Sequence, residues 1–356
     1  MMKRILIMAG GTGGHIFPAL AVAHALQRRG ADVHWLGTSD GLENQLVPKE
    51  NIPITYINVT GLRNKGFRKW LSAPWQLLRS VYQARHAIQA INPDVILGMG
   101  GFVSGPGGLA AWLSRKPLLI HEQNAVAGLT NRVLARFATQ ILAAFPEAFA
   151  SNYRATVIGN PIRSEIQRLP APTIRFQGRN GTLRLLVMGG SQGALIFNQL
   201  LPQALALLPT AERPQIWHQT GRYQKQAEQG YHSLNLDAKI QPFIEDMAQA
   251  YAWADMVLCR AGALTVSELA AVGIGSLLVP YPHAVDDHQT RNAEYLVKAG
   301  AAMLLPQKQL TAERLADTLR QLAGQRQQWL AMAQAARGLE QANATQKVVE
   351  YCLAAR

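Results

Sequence analysis

Cysteine is nearly absent: Cys259 and Cys352 are the only two in 356 residues. Two thiols cannot build a disulfide framework, and no metal-like Cys/His spacing surrounds either of them. A reducing compartment is expected. Long apolar runs are missing too. The N-terminal run Ile5–Ala9 meets glycine after five residues, short of a signal-peptide core. Nothing approaches the roughly 20 apolar residues of a spanning helix, so the chain reads as soluble or as lying on a membrane without crossing it. Acid is scarce: 22 Asp+Glu face 35 Lys+Arg, a net charge of +13. That excess points to an anionic partner, whether nucleic acid, acidic lipid or a phosphorylated substrate. Hydrophobic residues at 48 % and charged ones at 16 % indicate a globular chain rather than a disordered or coiled-coil one.

The basic excess is uneven. Residues 1–160 carry 16 basic against 7 acidic side chains, and residues 161–356 carry 19 against 15. Between Asn51 and Pro93 stand Arg63, Lys65, Arg68, Lys69, Arg79 and Arg85 without a single acid. The first half is expected to meet the anion. Along it, Ile5–Ala9, Val33–Leu36, Ile54–Val59, Val95–Leu97, Leu118–Ile120 and Gln140–Ala144 read as buried parallel strands. Pro18–Arg29 and Pro74–Ala90 read as helices, with Gly30 closing the first. After a polar stretch at Asn160–Gly181 the pattern restarts: strands at Leu183–Met188, Gln215–Gln219, Met256–Cys259 and Ser276–Val279, then helix from Thr311 onward. This is an α/β chain of two doubly wound parallel-sheet domains, with ligands at the carboxyl ends of the strands.

Three glycine turns follow strands: Gly10–Gly14 before His15, Gly98–Gly101 continuing to Gly105–Gly108, and Gly189–Gly193. Glycine lets backbone approach a ligand closely, and the next helix aims its N–H groups and positive dipole end outward. Together they suit a phosphate or diphosphate. The nicotinamide fingerprint fails because Ile16 occupies its last glycine position, and Leu36 is followed by Gly37 and Thr38 instead of an acid. With no Gly-Lys pair anywhere, a P-loop is excluded. Gly189-Gly190-Ser191-Gln192-Gly193 also fits a G-x-S-x-G nucleophile elbow, with Asp286 or Asp287 and His288 following in triad order. That alternative, an α/β serine hydrolase, leaves the first 180 residues without a task and places its acid and histidine too close together.

The densest constellation is Arg260–Glu268, followed by Val279–His283 and Asp286–Gln289. Glu268 lies one turn inside a helix, where a carboxylate either complements the dipole or accepts the hydroxyls of a ribose. Taken with Gly10–His15, Gly98–Gly108, His121–Asn124, Gly159–Arg163 and Gly189–Ala194, it makes the chain resemble the MurG family over essentially its full length. That family of bacterial transferases adds N-acetylglucosamine to lipid I, making lipid II for peptidoglycan, and so serves cell-wall synthesis, cell shape and division. The resemblance implies the GT-B architecture, two Rossmann-like domains facing across a cleft. Residues 1–160 would bind acceptor and membrane, 161–340 would bind the UDP-sugar, and 341–356 would pack back on the first domain.

Carried onto this chain, the resemblance implies that Ser191 and neighbouring amides contact the diphosphate of UDP-N-acetylglucosamine. The backbone of Ile244 would read the uracil, and Ala263, Leu264, Thr265, Val266 and Ser267 would approach the sugar phosphate. Glu268 would hold the ribose, and Gln289 the sugar hydroxyls. Arg163 would stand at the domain junction, while Thr12, Gly13, Gly14 and Asn124 would close over the donor. Gly100, Gly101, Ser104 and Gly105 would receive the acceptor diphosphate. The part of His288 stays open. No cofactor and no structural metal are expected: no Asp-x-Asp motif stands in a strand-end turn, and Asp286-Asp287 has the wrong spacing.

The inverting transfer needs a base for the acceptor hydroxyl and fixed positive potential for the departing diphosphate. His15 is read either as that base, since an imidazole titrates near neutrality, or as a positioning group. Glu122 is the weaker candidate. In the segment Trp70–Ile88, Leu71, Trp75, Leu78 and Tyr82 form one helical stripe flanked by Arg79 and Arg85, with Lys65, Arg68 and Lys69 nearby. Alone, such a stripe reads as core. With the resemblance it reads as an interfacial helix on anionic phospholipid, placing the protein peripherally on the cytoplasmic face of the bacterial inner membrane. Other cell-wall and division proteins are expected partners. Nucleic acid is not, for want of any zinc-finger, RNP or basic-helix motif.

Overall fold

The computed structural model describes residues 2–59, 67–190 and 193–356, with side chains throughout except at 67–73. They form two compact units, Met1–Arg163 with Gln341–Arg356 and Ser164–Glu340.

In the first unit, β1 (Arg4–Met8), β2 (Asp32–Gly37), β3 (Ile54–Tyr56), β4 (Val95–Gly98), β5 (Leu118–Glu122), β6 (Gln140–Ala143) and β7 (Thr156–Val157) form one sheet. Their order is β3-β2-β1-β4-β5-β6-β7, every pairing parallel. In the second, β8 (Arg184–Met188), β9 (Gln215–Gln219), β10 (Lys239–Gln241), β11 (Met256–Cys259), β12 (Gly275–Leu278) and β13 (Ala302–Leu304) run β10-β9-β8-β11-β12-β13, again all parallel. In each sheet the order reverses beside the first strand, at β1/β4 and at β8/β11. Loops leaving the two strands of such a seam diverge and open a crevice at their carboxyl ends. The register sets Met8 beside Gly98 and Met188 beside Cys259, so both seams end level.

The side-chain alternation of β1 explains why both faces of the first sheet are covered. Ile5 and Ile7 pack on one face against Ile16, Ala19 and Leu26 of helix Gly13–Arg28 and against Val348 and Cys352 of helix Ala344–Ala354. Leu6 and Met8 pack on the other against Ala84 and Ile88 of helix Phe67–Ile91 and Ala110 of helix Ser104–Leu113. Each fully buried aliphatic side chain contributes roughly 1.5–3 kcal/mol. Lys3 ties the C-terminal helix down by donating from Nζ to the carbonyls of Leu353 (2.7 Å) and Ala355 (2.5 Å). In the second unit Leu185 and Val187 bury against Phe197 and Leu201 of helix Leu195–Ala206 and Leu315 and Leu319 of helix Ala312–Leu322.

The fold class is the expected one, but several elements differ in detail. The first helix begins at Gly13, five residues before Pro18, which lies inside it. Gly30 (φ 78°) closes that helix, its N–H donating to Gln27 O and that of Ala31 to Leu26 O. The third strand ends at Tyr56 rather than Val59. Strands β7, β10 and β13 have only two or three residues each, too short to show a period. Among the described residues no helix is long and apolar enough to cross a membrane.

Candidate active site

At the β1/β4 seam the first two glycine turns press backbone against backbone. Gly100 and Gly101 take φ of 98° and 85°, which glycine adopts without penalty. A Cβ on Gly101 would run into the Gly10 carbonyl, and one on Gly100 would strike the His15 imidazole. The missing Cβ of Gly100 therefore lets the His15 ring approach the second turn closely. His15 sits in the first turn of its helix, with its N–H and that of Ile16 both donating to the Thr12 carbonyl. Gly11, Thr12 and Gly14 are exposed. The His15 side chain is half-buried, its Nδ1 3.0 Å from Gln123 Oε1.

Glu43 was not foreseen. It is fully buried, accepting from Gly11 N (3.0 Å), Thr38 N (2.9 Å) and Thr38 Oγ1 (2.7 Å). A Cβ on Gly10, Gly37 or Gly41 would collide with its side chain. A carboxylate after β2 is thus present, but it binds the first glycine turn of the protein itself. The signal was the Gly37…Gly41 pair just ahead of an acid.

Two expectations need correction. Glu122 is buried with both oxygens committed: Oε1 accepts from Asn124 N (3.0 Å) and Nδ2 (3.2 Å), Oε2 from Gly128 N (3.1 Å) and Asn131 Nδ2 (2.8 Å). Four donors leave it building the 122–131 loop, and Asn124 with it, instead of acting as a base. Ser104 is fully buried, its hydroxyl accepting from Gly100 N (3.1 Å) and donating to Gly100 O (2.9 Å). It closes the turn, so only backbone of Gly100, Gly101 and Gly105 remains for an anion there.

At the β8/β11 seam, Gly190 and Gly193 have φ of 79° and 77°. A Cβ on Gly193 would meet the Thr220 carbonyl, and one on Gly189 the amide of Ala194. Ser191 lies outside the described residues. Beside this turn, Gly262 caps helix Ala263–Val272, whose first-turn amides belong to Ala263, Leu264 and Thr265. Val266 and Ser267 follow in the same helix, and Val266 N donates to Gly262 O (2.9 Å).

Glu268 Oε2 accepts from the hydroxyl of Tyr251 (3.0 Å), a buried residue of helix Met247–Trp253. Tyr251 was not foreseen; it links Glu268 to the helix that follows the Ile244 loop. Arg260 donates to the carbonyls of Val279 (3.1 Å) and Pro280 (3.2 Å) and lies over the Phe197 and Tyr281 rings. That pins the ends of β11 and β12 together and leaves a cation beside the turns.

Gln289 Oε1 accepts from Tyr281 N (2.9 Å), which turns its NH2 the other way. Before it, Asp286 and Asp287 both adopt left-handed backbone (φ 52° and 50°), a conformation costly for residues with a Cβ. His288 Nδ1 is 2.7 Å from Val285 O, and Asp287 Oδ1 accepts from Thr290. A triad would instead need that histidine nitrogen on an aspartate. Arg163 is the last residue of the first unit's long segment.

The stripe on helix Phe67–Ile91 faces outward. Trp75, Leu78 and Tyr82 are 74 %, 63 % and 71 % exposed, while Ser80, Ala84, Ala87 and Ile88 form the buried face. The core reading of the stripe is thereby corrected: small residues go inward because this helix packs closely on helix Ser104–Leu113. The latter adds exposed Trp112 and Leu113. Arg79 is exposed in the same segment; the side chains of Leu71, Arg68 and Lys69 lie outside the described residues.

Each unit also buries one imidazole. Burial lowers the pKa of His121 to about 4 and that of His218 to about 3, against 6.5 in the unfolded chain. Stability is therefore complete above pH 6.5. It is lost as pH falls toward those folded values, because the unfolded chain takes up protons that the folded one excludes. Each unit is expected to lose about 2 kcal/mol between pH 7.5 and pH 5. Urea unfolding at the two pH values checks this, and equal midpoints would contradict it.

A doubly wound sheet with a glycine turn and a helix N-terminus at its seam, present twice, defines a two-domain Rossmann-type enzyme for phosphorylated ligands. Two family models match, the glycosyltransferase family 28 N-terminal domain over residues 5–143 and its C-terminal domain over residues 184–349. The chain belongs to glycosyltransferase family 28. Proteins of Marinobacter nauticus and Nitrosococcus oceani, each 56 % identical, match 99 % of this chain, over 98 % and 99 % of their own lengths respectively. Both are named UDP-N-acetylglucosamine--N-acetylmuramyl-(pentapeptide) pyrophosphoryl-undecaprenol N-acetylglucosamine transferase. The crystal structure of Acinetobacter baumannii MurG superposes with a TM-score of 0.87 at 42 % identity, covering 99 % of each chain. The glycotransferase of kitacinnamycin, at 17 % identity and a TM-score of 0.71, shares the fold. The resemblance to the MurG family holds over the whole chain, and the serine-hydrolase alternative finds no support.

Proposed function

We propose that the protein transfers N-acetylglucosamine from UDP-N-acetylglucosamine to the 4-hydroxyl of N-acetylmuramic acid in lipid I, with inversion, releasing UDP and forming lipid II. The observation that carries this reading is the 56 % identity, end to end, to relatives named for that reaction. In the mechanism, His15 takes the proton from the acceptor hydroxyl as its oxygen attacks the anomeric carbon and the bond to the diphosphate breaks. Charge gathering on the departing UDP is met by the N-terminus of helix Ala263–Val272, a dipole that needs no reorganisation. Glu268, oriented by Tyr251, accepts both ribose hydroxyls. Gln289 offers its NH2 to the sugar, and the backbone of Ile244 pairs with the uracil. UDP released from UDP-N-acetylglucosamine only when a short-chain lipid I analogue is present is the expected result; release that ignores the analogue would overturn the reading.

The exposed Trp75–Leu78–Tyr82 stripe, beside Arg79 in an acid-free segment, supports a peripheral place on anionic phospholipid at the cytoplasmic face of the inner membrane. Burying each of these side chains in the interface contributes about 1.5 kcal/mol or more. The triple variant Trp75→Ser, Leu78→Ser, Tyr82→Ser is expected to bind phosphatidylglycerol vesicles at least about tenfold more weakly in co-sedimentation. Equal sedimentation of the wild type with anionic and neutral vesicles would contradict the lipid reading.

A further inference from the structure

The hydrogen bonds of His15 do not stop at Gln123. The Gln123 amide, buried with 1 % exposure, has Oε1 3.0 Å from His15 Nδ1 and Nε2 3.1 Å from His121 Nδ1. Its Nε2 also donates to the backbone carbonyl of His121 (3.2 Å). At the far end His121, fully buried, has Nε2 2.9 Å from the Gly159 carbonyl. These two carbonyls can only accept, and that fixes every proton between them. Gly159 O requires His121 to carry its proton on Nε2. Burial holds the His121 pKa at about 4, so the ring is neutral across the working pH range and Nδ1 is an acceptor. The His121 carbonyl requires the NH2 of Gln123 to point that way, and the same NH2 supplies His121 Nδ1. Gln123 therefore presents oxygen to His15, and His15 Nδ1 must be the donor.

We propose that Gln123 and His121 are positioning residues that hold His15 in the Nδ1–H tautomer, so that the lone pair of Nε2 is the atom offered to the acceptor hydroxyl. The inference rests on the reading of His15 as the base. A neutral imidazole has one donor and one acceptor nitrogen, and the bond made by one decides the role of the other. Without an oxygen opposite Nδ1 the ring is free to place its proton on Nε2, where it cannot receive another. The relay is anchored on two backbone carbonyls, Gly159 O for His121 and His121 O for Gln123. His15 is itself held over Gly100, whose missing Cβ leaves room for the ring.

The tautomer is read directly by long-range 1H–15N correlation of the imidazoles in the whole protein at about pH 8.5. The expected result for the wild type is a protonated Nδ1 and an unprotonated Nε2 on His15. Gln123→Met keeps the volume and removes the hydrogen bonds to both imidazoles and to the His121 carbonyl. It is expected to give a mixture of tautomers and a kcat roughly 10- to 100-fold lower, with KM for UDP-N-acetylglucosamine unchanged within about twofold. Gln123→Glu, whose carboxylate still presents an oxygen to His15 Nδ1, is expected to keep the Nδ1–H tautomer and restore part of kcat. A wild-type His15 protonated on Nε2, or an unchanged Nδ1–H tautomer in Gln123→Met, overturns the proposal. The wild-type spectrum decides even if the variant does not fold. A His15→Ala variant that keeps its kcat would remove the base reading alone, since the spectrum reports the tautomer regardless.

Discussion

Replacing His15 with alanine is expected to lower kcat by about 10²- to 10⁴-fold, the usual worth of a positioned general base. The acceptor hydroxyl holds its proton tightly at neutral pH, so attack without a base must form a poorly stabilised charge. The neighbouring alternative has been removed by geometry: Glu122 spends both oxygens on four donors of its own loop. KM for UDP-N-acetylglucosamine should change by less than about twofold, because the interaction lost exists chiefly in the transition state. Initial rates of acceptor-dependent UDP release measure both quantities. A kcat within about threefold of wild type would assign His15 to positioning the Gly10–Gly14 loop.

The second large effect falls on binding. Glu268→Ala should raise KM for UDP-N-acetylglucosamine by about 10- to 100-fold, since hydrogen bonds to an ionised carboxylate contribute about 1.5–3 kcal/mol. Tyr251→Phe should raise it several-fold only, because it removes one hydrogen bond to the carboxylate and leaves the carboxylate in place. Titration with UDP alone gives the same ranking if the contact is to the ribose. Unchanged UDP affinity in Glu268→Ala would instead confine the carboxylate to complementing the dipole of its helix.

Much of this was legible in the chain. The strand runs are continuous because a parallel sheet is covered on both faces, and the glycine turns stand out because they end such runs. Topology then brought Gly10 against Gly101 and set the turns after β8 and β11 at one seam without further information. What was illegible has physical causes. Pro18 marks a helix start by default, yet it sits inside one, five residues beyond the glycine where that helix begins. The stripe on helix Phe67–Ile91 has ordinary helical spacing, and spacing alone cannot tell an inward face from an outward one. The deciding fact was that Ser80, Ala84 and Ala87 are small enough for close helix contact. Glu43, Ser104 and Glu122 are polar residues in or beside ligand-like motifs, but their partners are backbone and side-chain groups of the protein's own turns and loops. Residue type and position do not distinguish a group that binds substrate from one that builds the loop that does. Tyr251 and Gln123 act through another side chain, and only the folded geometry shows which.

The central claim is transfer of a sugar to a defined hydroxyl with inversion, and the linkage in the product tests it most directly. The protein would be incubated with UDP-N-acetylglucosamine and a short-chain lipid I analogue, and the purified product examined by proton NMR. The account predicts a single new N-acetylglucosamine in β linkage to O4 of the N-acetylmuramic acid, formed in step with UDP. An α linkage, attachment at another position, or UDP formed with free N-acetylglucosamine and no disaccharide would contradict it.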